Sequence, residues 1–271
     1  MKTDDTLPSS REAASPAVTS AEVLLSCENL VIGYGNKALL PPLQLQVRRG
    51  DFVAVVGRNG SGKSTWFKTL LGLLPPVSGR IDKGTPGMRS AYVPQTASMD
   101  ALLPVRPKEM VLWGRLTGWN FLRPFSSQED RRVARAALDT VGAQAFAHRP
   151  FRELSEGQKQ RALLARVLAS DADLVLLDEP TAAMDAVAER ETMQRLAGLA
   201  RERRIAVVVV SHDLSMAAEY ANTLLFVDRE APAVVLGNAR TVFSHPAFRH
   251  QYGDEYAARL ALGSPLGPIS G

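Results

Sequence analysis

The chain has 271 residues, of which 45% are hydrophobic, 22% charged and 6% aromatic, enough to bury a sizeable core built mainly from aliphatic side chains. Its net charge of +4 comes without any dense Lys/Arg block interleaved with aromatics, which argues against nucleic acid as a partner. The single cysteine, Cys27, excludes an internal disulfide and suits a reducing compartment, and no apolar run approaches the roughly 18 residues that a membrane-spanning helix needs.

Residues 1–22 are polar and lack the apolar core of a secretory signal, so a disordered tail is expected there. Residues 24–30 and 43–47 alternate apolar and polar side chains, as half-buried strands do. Residues 52–56 form a short apolar run ending in glycine, the pattern of a strand covered on both faces. A helix is expected from 63 to 73, stopped by Pro75 and Pro76. From about 96 to 170 strong β runs are missing, while 128–141 and 157–169 carry apolar residues at helical spacing, so a helical insertion is expected. Residues 174–177 and 205–210 are two more buried-strand candidates, each followed by a helical pattern. The whole reads as one α/β domain with a mostly parallel sheet, spanning 23–255, with a C-terminal tail over 256–271 that is Gly/Pro/Ser-rich from 262 on.

Two stretches carry chemistry. Residues 57–65 read Gly-Arg-Asn-Gly-Ser-Gly-Lys-Ser-Thr, a full G-x-x-x-x-G-K-[ST] match with a strand before it and a helix after it. Gly57, Gly60 and Gly62, with Asn59 and Ser61 between them, let backbone N–H groups turn inward around phosphates. The helix N-terminus adds its dipole there, beside Thr65. Lys63 supplies a point charge for the β- and γ-phosphates, and the Ser64 hydroxyl is a ligand for Mg²⁺. The second stretch is the apolar run at 174–177, which delivers Asp178 and Glu179 at a strand's C-terminal end, where open α/β sheets bind ligands. Asp178 is the candidate for the Mg²⁺ shell and Glu179 for the base that polarises an attacking water. A strand ending in Asp-Glu is by itself more often a solvated turn; after a P-loop it gains meaning.

Between these stretches lies Leu154-Ser155-Glu156-Gly157-Gln158, which opens a helix. Locally it is a capping box, Ser155 with Gln158. With the P-loop before it and Asp178-Glu179 after it, the sequence resembles the ATP-binding-cassette (ABC) family, whose signature LSGGQ it matches except at Glu156, where glycine is usual. The resemblance runs from about residue 24 to 253. It implies the ABC ATPase fold, with an N-terminal antiparallel β subdomain and a helical subdomain inserted in the P-loop core. It also implies roles: Tyr34 stacking on adenine, Gln95 linking Mg²⁺ and the γ-phosphate to the permease contact, Asp185 as the D-loop aspartate, and His212 facing the γ-phosphate. Ser155, Gly157 and Gln158 would cap the ATP held by a second copy, so that two cassettes close head to tail over two MgATP. Glu156, placed near that ATP, is expected to weaken closure unless it points away.

The family also implies partners. The expected arrangement is an ATPase subunit working on a separate integral membrane permease, indirectly with a solute-binding protein, and sitting on the cytoplasmic face of the cell membrane. A single cassette without sustained heptads argues against soluble ABC ATPases of ribosomes or DNA; a pair that drives an envelope partner without moving solute stays open. Asp100, Pro104, Val105, Val111, Gly114, Arg115, Gly118, Arg123 and Pro124, with the 247–253 segment Ala-Phe-Arg-His-Gln-Tyr-Gly, are similar to zinc/manganese-type importers, and iron-chelate importers are the runner-up. The apolar residues Val111, Leu112, Trp113 and Trp119 are the expected permease-docking segment, or else packing inside the insertion.

Overall fold

The structure is a computed structural model that describes residues 21–84, 86–94, 105–115, 126–182 and 184–262. Its elements run β1 (Val23–Val31), β2 (Gly33–Tyr34), β3 (Lys37–Ala38), β4 (Leu43–Arg48), β5 (Phe52–Val56), α1 (Lys63–Leu70), β6 (Ser78–Asp82) and β7 (Ser90–Val93), followed by the helices α2 (Pro107–Trp113), α3 (Gln128–Thr140) and α4 (Glu156–Ala169). The second half runs β8 (Leu174–Asp178), α5 (Ala186–Arg203), β9 (Ala206–Val210), α6 (Leu214–Tyr220), β10 (Thr223–Asp228), β11 (Ala233–Gly237), α7 (Ala239–Phe243), α8 (Pro246–Tyr252) and α9 (Asp254–Ala261).

A six-stranded sheet in the order β11-β10-β5-β9-β8-β7 forms the centre. Every pairing in it is parallel except β10 with β11. β1 pairs antiparallel with β4 and β6 in a separate three-stranded sheet. This is the expected α/β architecture with its antiparallel subdomain. Because successive strand residues point to opposite faces, β5 feeds two cores. Val53 and Val55 join the antiparallel sheet and the α1 residues Trp66, Phe67 and Leu70. Phe52, Ala54 and Val56 face the helices on the other side. α1 is thus clamped between two sheets, which fixes the loop at its N-terminus.

The inserted helices form their own layer, α2 and α3 packing on α4. Arg115, at the end of α2, ties that layer to the core: it pairs with Asp130 of α3 at 3.1 Å, with Asp171 ahead of β8, and donates to the Ala169 carbonyl at 3.0 Å. The expected tail boundary at 256 gives way to α9, which continues to Ala261 and buries Ala257 and Leu260. Its reason is an aromatic stack: Phe226 of β10 meets Phe248 at 5.2 Å, Phe248 meets Tyr252 at 4.6 Å, and Tyr252 meets Tyr256 of α9 at 6.3 Å. The aromatic residues scarce elsewhere are spent on docking these C-terminal helices.

Candidate nucleotide site

The site lies where β5, β8 and β9 end. β5 passes into the loop 57–62, whose three glycines all have positive φ: 153° at Gly57, 81° at Gly60 and 106° at Gly62. At Gly57 no other residue fits, since a Cβ there would lie 2.3 Å from the Val227 carbonyl oxygen and 2.8 Å from Ser61 Oγ. Gly62 caps α1 in the left-handed conformation. Lys63, the first helical residue, is buried and folds back so that Nζ donates to the carbonyls of Gly57 at 2.7 Å and Arg58 at 3.0 Å. Burial pulls its ammonium below the ordinary lysine value, against the opposing charges of Glu179 and Asp178.

Asp178 ends β8 opposite Val210 of β9. Burial, and then the neighbouring Glu179 charge, raise its carboxyl above the usual aspartate range, while Lys63 and Lys68 oppose the shift. Glu179 follows at φ 49°, a left-handed conformation unusual for a non-glycine residue, and its amide donates to the Val210 carbonyl at 3.2 Å. Ser211, just beyond β9, donates its amide to the Val55 carbonyl at 3.1 Å, and His212 beside it is exposed. The β2–β3 hairpin brings Tyr34 over α1: its hydroxyl lies 3.2 Å from Thr65 Oγ1 while the side chain stays 56% exposed.

Tyr34, Asn59, Gly60, Gly62, Lys63, Ser64, Thr65 and Glu179 therefore line one open groove of about 430 Å³. Its residues fit a nucleoside triphosphate with Mg²⁺. Among the described residues Lys63 donates only to loop carbonyls and the buried Ser61 Oγ has no hydrogen-bond partner, an aromatic face is exposed, and Ser64 and Asp178 offer the hard oxygens Mg²⁺ takes alongside substrate phosphates. The sequence reading missed two lining residues, Leu39 and Arg229.

Other candidates stand apart from this groove. Ser155 caps α4, accepting the Gln158 amide at 3.3 Å while Gln158 Oε1 accepts the Ser155 amide at 3.1 Å. Gly157 lies in the first turn of the same helix. The atypical Glu156 pairs with the buried Lys159 at 2.8 Å, so its charge is compensated within its own helix. Asp185 caps α5, accepting the amides of Val187 and Ala188 at 3.1 and 2.9 Å. Gln95 lies outside the described residues, as do Asp100, Pro104, Gly118, Arg123 and Pro124 of the importer-like stretch and Trp119 of the expected docking segment. Within that segment Val111 is buried, Leu112 partly so, and Trp113 is 48% exposed.

A glycine-rich loop from one strand, an acidic pair from a strand two places along the same sheet, and a groove between them define a P-loop nucleotide-hydrolysing protein. The chain belongs to the ABC transporter family, whose model matches residues 40–182, and it is an ATP-binding, ATP-hydrolysing subunit of that family. It is 38% identical over 232 residues to the manganese transport system ATP-binding protein MntB of Bacillus subtilis, covering 83% of this chain and 91% of that one. It is 34% identical to the zinc transport system ATP-binding protein TroB of Treponema pallidum, over 90% of this chain and 92% of the relative. Among solved structures, an inward-facing ABC transporter described as of metal-chelate type superposes with TM-score 0.72 at 30% identity, over 85% of this chain and 89% of that one. A dimeric bacterial ABC transporter cassette superposes with TM-score 0.63 at 27% identity, over 75% of this chain and 94% of the other. Among the described residues no helix is long and apolar enough to cross a membrane.

Proposed function

We propose that this chain energises import of a divalent metal ion through a separate integral membrane permease. The observation that carries the metal reading is its likeness, over most of its length, to manganese and zinc transport ATPases. On this reading it sits on the cytoplasmic face of the cell membrane, works indirectly with a solute-binding protein, and offers exposed Trp113 on α2 to the permease.

In the groove, the Tyr34 ring stacks on adenine and the loop from Gly57 to Gly62 wraps the phosphates with backbone N–H groups. Lys63 leaves the Gly57 and Arg58 carbonyls for the β- and γ-phosphates, a move its burial favours because the bound polyanion compensates its charge. Ser64, Asp178 and Gln95 would hold Mg²⁺, which would supply positive charge against the terminal phosphates. Glu179 orients and deprotonates the attacking water, its backbone fixed by the Val210 carbonyl, while His212 serves the γ-phosphate.

Ser155, Gly157 and Gln158 of a second copy close the groove, and Asp185 of each copy lies at the seam. The dimeric cassette relative supports such pairing. The Glu156–Lys159 ion pair supports this closure, because a cation offsets the Glu156 charge within its own helix.

The test is uptake of radioactive Mn²⁺ and Zn²⁺ in cells lacking this chain. The expected result is loss of uptake that wild-type protein restores and Lys63→Ala does not. Normal metal uptake with loss of ferric-chelate or phosphonate uptake would overturn the metal reading while leaving the ATPase intact. Purified Ser155→Arg is expected to bind MgATP yet remain monomeric by size-exclusion chromatography; an ATP-dependent dimer would overturn the proposed closure.

A further inference from the structure

β10 lies parallel beside β5 with Phe226 opposite Val56, so the chain leaving β10 runs alongside the chain entering the phosphate loop. The approach is close enough that the Val227 carbonyl forbids any side chain at Gly57. The next residue, Asp228, is 3% exposed, and its Oδ1 accepts the Glu230 amide at 2.9 Å, which cinches the turn between β10 and β11. Arg229 stands exposed on that turn. It borders the groove together with Tyr34, Lys63, Ser64 and Glu179. On its other side it borders a hollow with Arg58, Asn59 and Gln251. Arg229 makes no ion pair with any described residue, in contrast to Arg49, Arg115 and Arg190, which are held by carboxylates.

An anchored turn therefore presents an unpaired guanidinium at the rim of a groove whose substrate is a polyanion. The triphosphate carries more negative charge than Mg²⁺ and Lys63 together cancel, and Asp178 and Glu179 add to the excess. A planar guanidinium can donate two parallel hydrogen bonds to phosphate oxygens, and it keeps its charge at every accessible pH. Building on the ATP reading of this groove, we propose that Arg229 is a further substrate-binding residue, which holds the polyphosphate chain of ATP from the rim while Lys63 holds it from below. It makes the site favour nucleotides with two or three phosphates over the monophosphate.

The experiment compares purified wild-type protein with Arg229→Ala and Arg229→Lys by calorimetric titration of MgATP and adenosine monophosphate and by steady-state hydrolysis. Arg229→Ala is expected to weaken MgATP binding about tenfold and to raise KM by a similar factor. Its kcat, its affinity for the monophosphate and its melting temperature without nucleotide stay unchanged, and Arg229→Lys falls between the two. MgATP binding by Arg229→Ala as tight as wild type would overturn the proposal. So would unchanged binding combined with loss of the ATP-dependent dimer, which would turn Arg229 toward the second copy instead. Wild-type protein that binds no MgATP would overturn the reading of the groove itself, and the inference with it.

Discussion

The two ends of the central sheet are built on opposite principles. At the C-terminal end, where β5, β8 and β9 stop, charged groups are buried and the backbone is held in uncommon conformations. Lys63 leans on loop carbonyls, Ser61 Oγ has no partner among the described residues, the Asp178 carboxyl is pushed up by burial, and Glu179 holds a left-handed backbone. At the N-terminal end of the same strands, polar groups are paired off. Arg49 bridges Glu22 and Asp173, Asp173 also takes the Arg89 amide, and the Phe52 amide finds Asn222 Oδ1. One end keeps buried charge and a strained backbone in a rigid frame, and the other holds the frame together. Substitutions at the two ends should therefore fail differently: activity without stability at one, stability without activity at the other.

The sharpest separation is expected from Glu179→Gln. It keeps shape and hydrogen bonding but removes the proposed base, so hydrolysis should fall by about 10²–10⁴-fold while MgATP affinity holds or improves. Stopped-assay ATPase rates beside calorimetric titration measure both, and near-normal turnover would remove Glu179 from the base role. Gly57→Ala should blur the contrast, because it sits at the functional end yet touches the frame. Its Cβ would meet the Val227 carbonyl at 2.3 Å, and φ of 153° strains any L side chain. A destabilisation of about 3 kcal/mol is expected, lowering the melting temperature by roughly 6–12 °C. A melting curve matching wild type would mean that the loop relaxes away from β10 at little cost.

Those two positions also mark what the sequence discloses. The phosphate loop is contiguous: strand, glycines, lysine and helix lie within one short run, so spacing alone exposes them. Asp178 and Glu179 are legible because a continuous apolar strand aims them. β6 is different. Its residues Ser78–Asp82 are mostly exposed and polar, so neither alternation nor an apolar run marks it, and it exists because β1 offers a second edge. Most of α9 reads as a tail because its helical stretch is short; what orders it is the stack of Phe248, Tyr252 and Tyr256 against Phe226, a contact between distant segments. Arg229 was hidden for the same reason: it enters the groove from a hairpin far along the chain, and only the pairing of β10 with β5 brings it there. Neither the capping of Ser155 nor the pairing of Glu156 with Lys159 says what a second copy does with that helix, since both contacts are internal to it.

The smallest expected effect tests the other half of the contrast. Asp173 is 28% exposed at its side chain, and its oxygens accept the Arg89 amide at 3.0 Å and Arg49 Nη1 at 2.8 Å. The Arg89 amide, and then the Arg49 guanidinium, hold its carboxyl below the ordinary aspartate value despite partial burial. A folded-state pKa below the unfolded value means that the carboxylate stabilises the fold above the unfolded pKa, about 3.9, and that this contribution is lost as pH falls through the folded one. Asp173→Asn keeps the shape but not the charge, so it should cost about 1 kcal/mol at pH 7, a modest sum because solvent reaches the pair. The gap between variant and wild type should be the same at pH 7 and pH 5 and close below about pH 4, as the wild-type carboxylate also loses its charge. Urea unfolding across that range measures it, and a gap that persists undiminished at pH 3 would assign the loss to packing instead. Turnover of MgATP at pH 7, well below the melting temperature, should stay within about twofold of wild type, because nothing at this edge reaches the groove. If Asp173→Asn instead lost hydrolysis as Glu179→Gln does, strain would be passing along β8 from one end to the other, and the frame and the site would have to be treated as a single device.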